Sequence, residues 1–406
     1  MSQFSKTLTL SCALFAVLAA TPAFAADTTP DFASEKLSGD WGGLRSKWYE
    51  QGFDFEAVYK LDTWRNFTGG VQQGNRVGDN LDLTMTVDGG KAFGSDGTTL
   101  FIYLLNNNGG RINDLVGSNG GIDNIEAPTH AFKLYQAWIQ QNFWDDKLSI
   151  LAGLHDLNSE FYVTDTSGLF LNPTYGIGTE MAATGDNGPS IFPVTSLGVR
   201  VAVQPTDNTY VMAAIYDGVP GDTDNPRGTH IQIDENDGAL LVGEAGVRDD
   251  TFGHFGIGAW KYTAKRPDQF DPALMKHSQG LYALADTSLY NQDGRNLSAF
   301  ARVGFTAGDV EQFKSNWSVG VVASGFVATR PDSQIGFAVS RNRNADKFKD
   351  VNAPVDSHET QYELTYSDKL MPWLTIQPDL QYTVNPGTDP AADNAWTAGL
   401  RLSIDF

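Results

Sequence analysis

Cysteine is nearly absent from this chain. Of 406 residues only Cys12 is one, and it lies in an N-terminal stretch with the marks of a cleaved leader. A chain cut after Ala25 would keep no thiol, which excludes disulfides and cysteine metal centres. Basic charge is scarce too: 28 Lys and Arg stand against 49 Asp and Glu, a formal net charge of −21. So acidic a surface excludes nucleic acid as a natural partner. Long apolar runs are missing after residue 25, so no segment there can cross a bilayer as a helix of about 20 residues. His130, His155, His230, His254, His277 and His358 are scattered, with no two at a metal-ligand spacing. No Gly-x-Ser-x-Gly elbow occurs, and the acidic pairs Asp145-Asp146 and Asp249-Asp250 fall in expected turns. No catalytic residue, metal site or cofactor is assigned, and the chain is not read as an enzyme. Asp222-Thr223-Asp224-Asn225 and Asp234-Glu235-Asn236-Asp237-Gly238 look like calcium loops, but neither completes the twelve-residue pattern with its final Glu.

The leader itself reads as a secretory signal. Lys6 precedes an apolar stretch from Leu8 to Ala20, and Ala23-Phe24-Ala25 supplies the small residues of a cleavage site. The expected organisation is a signal peptide over 1–25, a lead-in over 26–52 and one large domain over 53–406. In the lead-in, Asp40 can cap a short helix that Gly52 ends, with Leu44 and Trp48 on one face.

What the chain has in quantity is alternation. In the last segment Leu400, Leu402, Ile404 and Phe406 alternate with Arg401, Ser403 and Asp405. A strand sends successive side chains to opposite faces, so one face wants oil and the other water. Leu81, Leu83, Met85 and Val87 oppose Asp82, Thr84, Thr86 and Asp88 in the same way. Sixteen segments read as strands: 53–61, 80–88, 98–106, 132–141, 148–155, 197–204, 209–217, 239–247, 252–262, 280–290, 296–306, 316–324, 335–342, 359–366, 373–384 and 395–405. Segments 252–262 and 280–290 are ambiguous in parity.

Connection lengths carry independent information. Long joins at 107–131, 156–196, 218–238, 263–279 and 343–358 alternate with short ones at 142–147, 205–208, 248–251, 291–295 and 367–372. Transmembrane barrels have long loops outside and short periplasmic turns, with an even strand number. The expected fold is all-β: a 16-stranded antiparallel transmembrane β-barrel with a short N-terminal helix. Its interior should be hollow and polar. Trp144, Trp260, Tyr290, Trp317, Trp373, Trp396 and Phe406 lie near strand ends and fit aromatic girdles at the bilayer interfaces.

Several stretches resemble the OprB-type carbohydrate-selective porins. They are Ser38-Gly39-Asp40-Trp41-Gly42-Gly43-Leu44-Arg45, Tyr135-Gln136-Ala137-Trp138-Ile139, Ala152 to Phe161, Gly188 to Arg200, and the tail from Tyr362 through Pro372-Trp373-Leu374 to Asn385-Pro386-Gly387. The resemblance implies a Gram-negative outer-membrane porin that passes monosaccharides through a barrel narrowed by inward loops. It implies small neutral sugars as solutes, with outer-membrane lipid and lipopolysaccharide around the barrel. Phe406 is similar to the terminal residue read by barrel-assembly machinery. Larger members carry Arg where this chain has His155. A general diffusion porin for small polar solutes is the alternative, and periodicity does not separate the two. Monomer and homotrimer both fit the outward face.

Parity places Asp82, Arg200, Arg302, Glu359, Gln361, Glu363, Gln377, Asp379, Gln381, Arg401 and Asp405 in the lumen. The long loops should supply the constriction. The expected constriction residues are Arg111, Glu160 and Arg200, then Asp156 and His155. Trp138, in the polar set with Gln136 and Gln140, is expected either to offer a ring face to a sugar or to pack under an inward loop. Lys133 has the opposite parity and is expected to snorkel to the interface.

Overall fold

The computed structural model describes residues 29–249 and 252–406. The expected signal segment with Cys12, the start of the lead-in and Asp250 lie outside the described residues.

Sixteen strands form one closed antiparallel barrel in which each strand pairs with its sequence neighbours and the last closes on the first. They are β1 (Phe53–Thr68), β2 (Gly74–Asp88), β3 (Thr98–Gly109), β4 (Ala131–Phe143), β5 (Leu148–His155), β6 (Ser196–Thr206), β7 (Thr209–Asp217) and β8 (Ala239–Asp249). The second half comprises β9 (Gly253–Pro267), β10 (Met275–Gln292), β11 (Arg295–Thr306), β12 (Phe313–Ser324), β13 (Gln334–Asn344), β14 (His358–Met371), β15 (Leu374–Val384) and β16 (Ala395–Asp405). Closure pairs Leu61 with Leu402 and Asp62 with Arg401. It leaves no free sheet edge, as a bilayer requires.

The wall is inside out relative to a soluble protein. Val199, Val201 and Val203 on β6 are exposed, while Arg200 between them is 1% exposed. On β14 Leu364 is exposed and Glu359, Gln361 and Glu363 are buried. The period-two pattern thus sends apolar side chains to lipid and polar ones to the interior.

Each expected segment corresponds to one strand, yet several strands run further. The expected join 263–279 is strand except for 268–274, because β9 continues to Pro267 and β10 starts at Met275. Beyond the hydrocarbon band both faces meet water, so hydropathy stops alternating while backbone pairing continues. The expectation of a polar interior also needs correction. Tyr216, Leu240, Val242, Trp260, Tyr262, Tyr282 and Leu284 form a buried apolar cluster with Leu157, Phe161, Tyr162 and Met181 of the loop after β5. Along β7–β10 the inner wall is therefore apolar as well as the outer one, which is why parity was ambiguous there. Trp260, 2% exposed, belongs to this cluster and not to a girdle.

The lead-in folds against the periplasmic end. Helix Leu44–Glu50 follows a 3-10 turn at Trp41–Gly43, and Gly52 terminates it at φ +90°. Asp40 accepts hydrogen bonds from the Ser46 amide and hydroxyl, both 2.8 Å. Arg45 lies between the rings of Phe32 and Trp41 and donates to the carbonyls of Phe406 and Phe55. The start of the described chain is thus tied to its end.

Leu364, midway along β14 and facing outward, tests the orientation of the wall. Arg at this position should destabilise the bilayer-embedded barrel by about 2–4 kcal/mol in a denaturant titration. A change below about 1 kcal/mol would mean that this face does not meet lipid.

Candidate functional site

Two long loops turn into the barrel instead of away from it. Inside, their amides and carbonyls need partners, since buried backbone groups left unpaired are costly. The inner wall supplies them. Glu359 on β14 accepts hydrogen bonds from the amides of Asn119 (2.9 Å), Gly120 (3.0 Å) and Gly387 (2.7 Å), and from the Ser118 hydroxyl (2.9 Å). One strand turn away, Glu363 accepts from the amides of Leu171 (2.6 Å) and Asn172 (3.0 Å). Glu244 and Asp286 accept from the amides of Tyr162 and Thr166. In the other sense, Arg302 on β11 donates to the carbonyls of Tyr162, Thr174 and Gly176. Gln377 and Gln381 on β15 donate to those of Leu169 and Ile122.

The loop after β5, residues 156–195, is built from short turns at Leu157–Ser159, Thr166–Leu169 and Pro173–Tyr175 and a helical turn at Thr179–Ala182. Gly304 on β11 lets that turn approach: a Cβ there would lie 1.7 Å from Glu180 Oε1. Glu180 accepts from the Tyr162 hydroxyl at 3.0 Å, and burial pushes its carboxyl up to about 7.

Five of the six expected residues meet at the inner wall of β3–β6 and the start of the loop that follows β5. Arg200 binds Glu160 through two parallel bonds, Nε to Oε2 at 2.8 Å and Nη2 to Oε1 at 2.6 Å. Its Nη2 also donates to Gln140 at 2.7 Å, and its Nη1 to the Ser149 hydroxyl. His155 lies 3.6 Å from Glu160, with Nδ1 2.7 Å from the Tyr216 hydroxyl and Nε2 3.1 Å from that of Ser159. Asp156 caps the turn Leu157–Ser159 and accepts from the Tyr135 hydroxyl at 2.5 Å. Burial lifts its carboxyl to about 6, while the Tyr135 hydroxyl and the Asn158 amide pull in the other direction.

Trp138 stacks one face on Phe101 at 5.0 Å and stands edge-on to His155 at 6.3 Å. Gly153, at φ +144°, sits opposite it in the ladder, and a Cβ there would fall 2.6 Å from the Trp138 Cα. One side of the indole is therefore covered by Phe101.

Arg111 is not brought to this cluster. It is near the outer end of β3, close to half exposed, and pairs with Asp114 three residues on. The loop 110–130 reaches the lumen instead through Asp123, which shares Arg401 with Asp62. Lys133 also departs from expectation. The β3–β4 register jumps from Tyr103–Gln136 to Leu104–Leu134, so Tyr135 is an extra residue. That bulge reverses parity. Lys133 is consequently 7% exposed and paired with Leu105 on the inner wall.

Tyr135 and Tyr216 are site residues that alternation alone does not reveal. The clue for Tyr135 was a lysine on the nominal lipid face, which signals a shift of register. Tyr216, on strand β7 with Tyr210 and Ile215 about it, carries no comparable signal. Lys60 and Asp82, 2.7 Å apart, complete the charged wall beside Tyr103.

The comparisons agree with this architecture. Porin B of Pseudomonas aeruginosa is 25% identical over 419 residues, covering 92% of each chain. The putative porin QuiX of Acinetobacter baylyi is 23% identical over 91% of this chain and 93% of its own. A solved structure of Pseudomonas putida OprB at high pH superposes with a TM-score of 0.82 at 22% identity, over 93% of this chain and all of that one. The family described as carbohydrate-selective porin, OprB family, matches residues 72–406, and the chain belongs to it: it is an outer-membrane porin of the sugar-selective kind.

Proposed function

We infer that small neutral sugars pass along the β3–β6 side of the barrel, beside the inward loop 156–195, and that Arg200, Glu160, Asp156 and Trp138 form the selective contacts. The observation that carries this reading is the bidentate Arg200–Glu160 pair beside the partly open Trp138 ring. A sugar carries hydroxyls around its rim and C–H groups on its faces. Fixed charges offer strong donors and acceptors to the hydroxyls, and the indole edge and face give the C–H groups an apolar surface. Because the guanidinium and carboxylate already compensate each other, a neutral solute can exchange hydrogen bonds with both without creating net charge. Transit needs contacts strong enough to admit the sugar and weak enough to release it. Nothing in this passage requires bond chemistry, and the chain acts as a channel with no catalytic group.

In planar bilayers, millimolar glucose or xylose should block the single-channel current. A large conductance unaffected by any sugar would instead make this a general diffusion pore. Glu160→Gln should weaken the block about tenfold, as expected for loss of a charge-assisted pair worth roughly 1.5–3 kcal/mol. Arg111→Ala should leave it within about twofold, being remote from the cluster. Equal effects at the two positions would sink the assignment.

The Asp156 carboxyl, held near 6 by burial, gives a pH signature. Above this value it is ionised and favours cations. As pH falls from 7.5 to 5 it gains a proton, so cation-over-anion selectivity should drop through about 6. Asp156→Asn should show the low-pH selectivity throughout. Identical pH profiles for the two proteins would remove Asp156 from the pore.

The loop anchors predict a further change. Glu363→Ala deprives two loop amides of their acceptor, at a cost of roughly 1–3 kcal/mol per unsatisfied group. Its open-channel current should be larger and noisier than that of the unmodified barrel. A quiet channel of unchanged conductance would show that the loop is held by other means.

A further inference from the structure

The outer wall of β12–β16 changes character along its length. On β13 the outward side chains are, in order toward the long-loop end, Ile335, Phe337, Val339, Arg341 and Arg343. Three apolar residues are followed by two arginines. The neighbouring strands continue the apolar part and meet the arginines with aromatic and polar residues. Phe337 pairs with Val321 and Leu364, and Val339 with Val319 and Tyr362. Arg341 pairs with Trp317 and Thr360, and Arg343 with Ser315 and His358. The row through Tyr362 continues to Tyr382 and Trp396, whose rings stack at 4.4 Å. Across the wall an aliphatic band thus gives way to an aromatic row, and beyond it β13 presents Arg341 and Arg343.

Such a sequence of side chains matches the profile of a bilayer leaflet. Aliphatic residues meet acyl chains and aromatic rings with polar edges meet the interface. The cations above them stand at the level of the head groups. Their position is unexpected on charge grounds, since basic residues are a minority in this acidic chain. They are also organised. The Arg341 guanidinium lies 5.8 Å above the Trp317 ring and donates to the Thr360 hydroxyl at 2.8 Å. Among the described residues no carboxylate forms an ion pair with it. Asp346 is the one acidic partner of the group above, and it is shared by Lys349 (2.9 Å), Lys314 (3.6 Å) and Arg343 (3.9 Å). Positive charge is therefore left in surplus. Ser315, Trp317, Arg341, Arg343, Ser357 and His358 line a groove of about 400 Å³ that opens sideways from the barrel.

We propose that this groove is a binding site for a phosphate of the outer-leaflet glycolipid, with Arg341 and Arg343 as its donors and Trp317 and Tyr362 against the acyl-bearing sugar below. Two neighbouring guanidiniums present planar forks suited to a phosphate, and stacking on Trp317 fixes one of them in advance. The groove faces lipid and not the lumen, so a solute in the pore does not compete for it. The site rests on the outer-membrane reading of the barrel and is independent of which solute the channel selects.

Native mass spectrometry of the detergent-solubilised full barrel tests the assignment. Bisphosphorylated lipid A should remain bound, and the same lipid stripped of both phosphates should bind at least about tenfold more weakly. This comparison uses the unmodified protein and needs no variant. Millimolar inorganic phosphate should not displace the lipid, since it lacks the acyl chains; full displacement would make the site a free-phosphate site and overturn the lipid assignment. The double variant Arg341→Ala, Arg343→Ala should lose about tenfold in lipid A affinity while keeping its heat-modifiable mobility and its sugar block. Equal retention of the two lipids, or of lipid A by variant and parent, would overturn the proposal. Absence of sugar block in both proteins would count against the solute assignment and leave the lipid comparison intact.

Discussion

Backbone hydrogen bonding inside a closed barrel is the constraint on which the rest of the structure depends. The strands satisfy one another by pairing around the ring, but a loop that folds into the lumen brings amides and carbonyls with no ladder to join. The wall has to complete them. Glu359 and Glu363 do so with carboxylates that accept from successive loop amides, and Arg302 does so with a guanidinium that reaches three carbonyls. Much of the polarity of the inner wall is therefore engaged in holding loops and is not available to a solute.

The apolar cluster behind the loop completes the arrangement. Tyr162 stacks on Tyr282 at 3.9 Å, and Leu157, Phe161 and Met181 bury against β7–β10. A barrel of sixteen strands is wide enough for an aqueous channel. Filling one side with a packed core narrows it without changing strand number or tilt. Selectivity can then be altered in the loop and its cluster while the lipid-facing surface stays constant. The loop is fastened on both sides, by apolar packing and hydrogen bonds to β7–β10 and again by both to β11–β15, so neither side alone fixes its position.

Much of this was legible in the sequence because a lipid-facing strand obeys a strict period of two. Each of the sixteen segments found by alternation corresponds to a strand, and Arg200, Glu363 and Arg401 were placed in the interior by parity alone. The places where reading failed have distinct physical causes. At Trp260 and Tyr282 both faces of the wall are apolar, and hydropathy carries no parity. At Tyr135 a bulge inserts one residue, so counting by twos puts Lys133 on the wrong side. At Pro267 and Met275 the strands outlast the membrane, and the pattern that marked them ends first. The meeting of Glu160 with Arg200 joins a loop to a wall 40 residues on. No periodicity encodes such a contact; parity put Arg200 in the interior and loop length put Glu160 near it, but neither joined the two.

Several charges on the inner wall are paired, and this bears on how a chain of net charge −21 can favour neutral solutes. Arg200 is bound to Glu160, Lys60 to Asp82, and Arg401 to Asp62 and Asp123. The first two groups are balanced, whereas the Arg401 group holds two carboxylates against one guanidinium. Exposed carboxylates outside the constriction are screened beyond a Debye length of about 8 Å at physiological salt. At the proposed constriction a solute would meet the Arg200–Glu160 pair at hydrogen-bonding distance. An ion would have to give up hydration and gain only the residual field of balanced pairs, whereas a hydroxyl can donate to the carboxylate and accept from the guanidinium at once. Asp156, held by a tyrosine hydroxyl and a backbone amide without a cation within ion-pairing distance among the described residues, is the exception on this wall. It is the position at which a change of protonation would alter the balance between neutral and charged solutes.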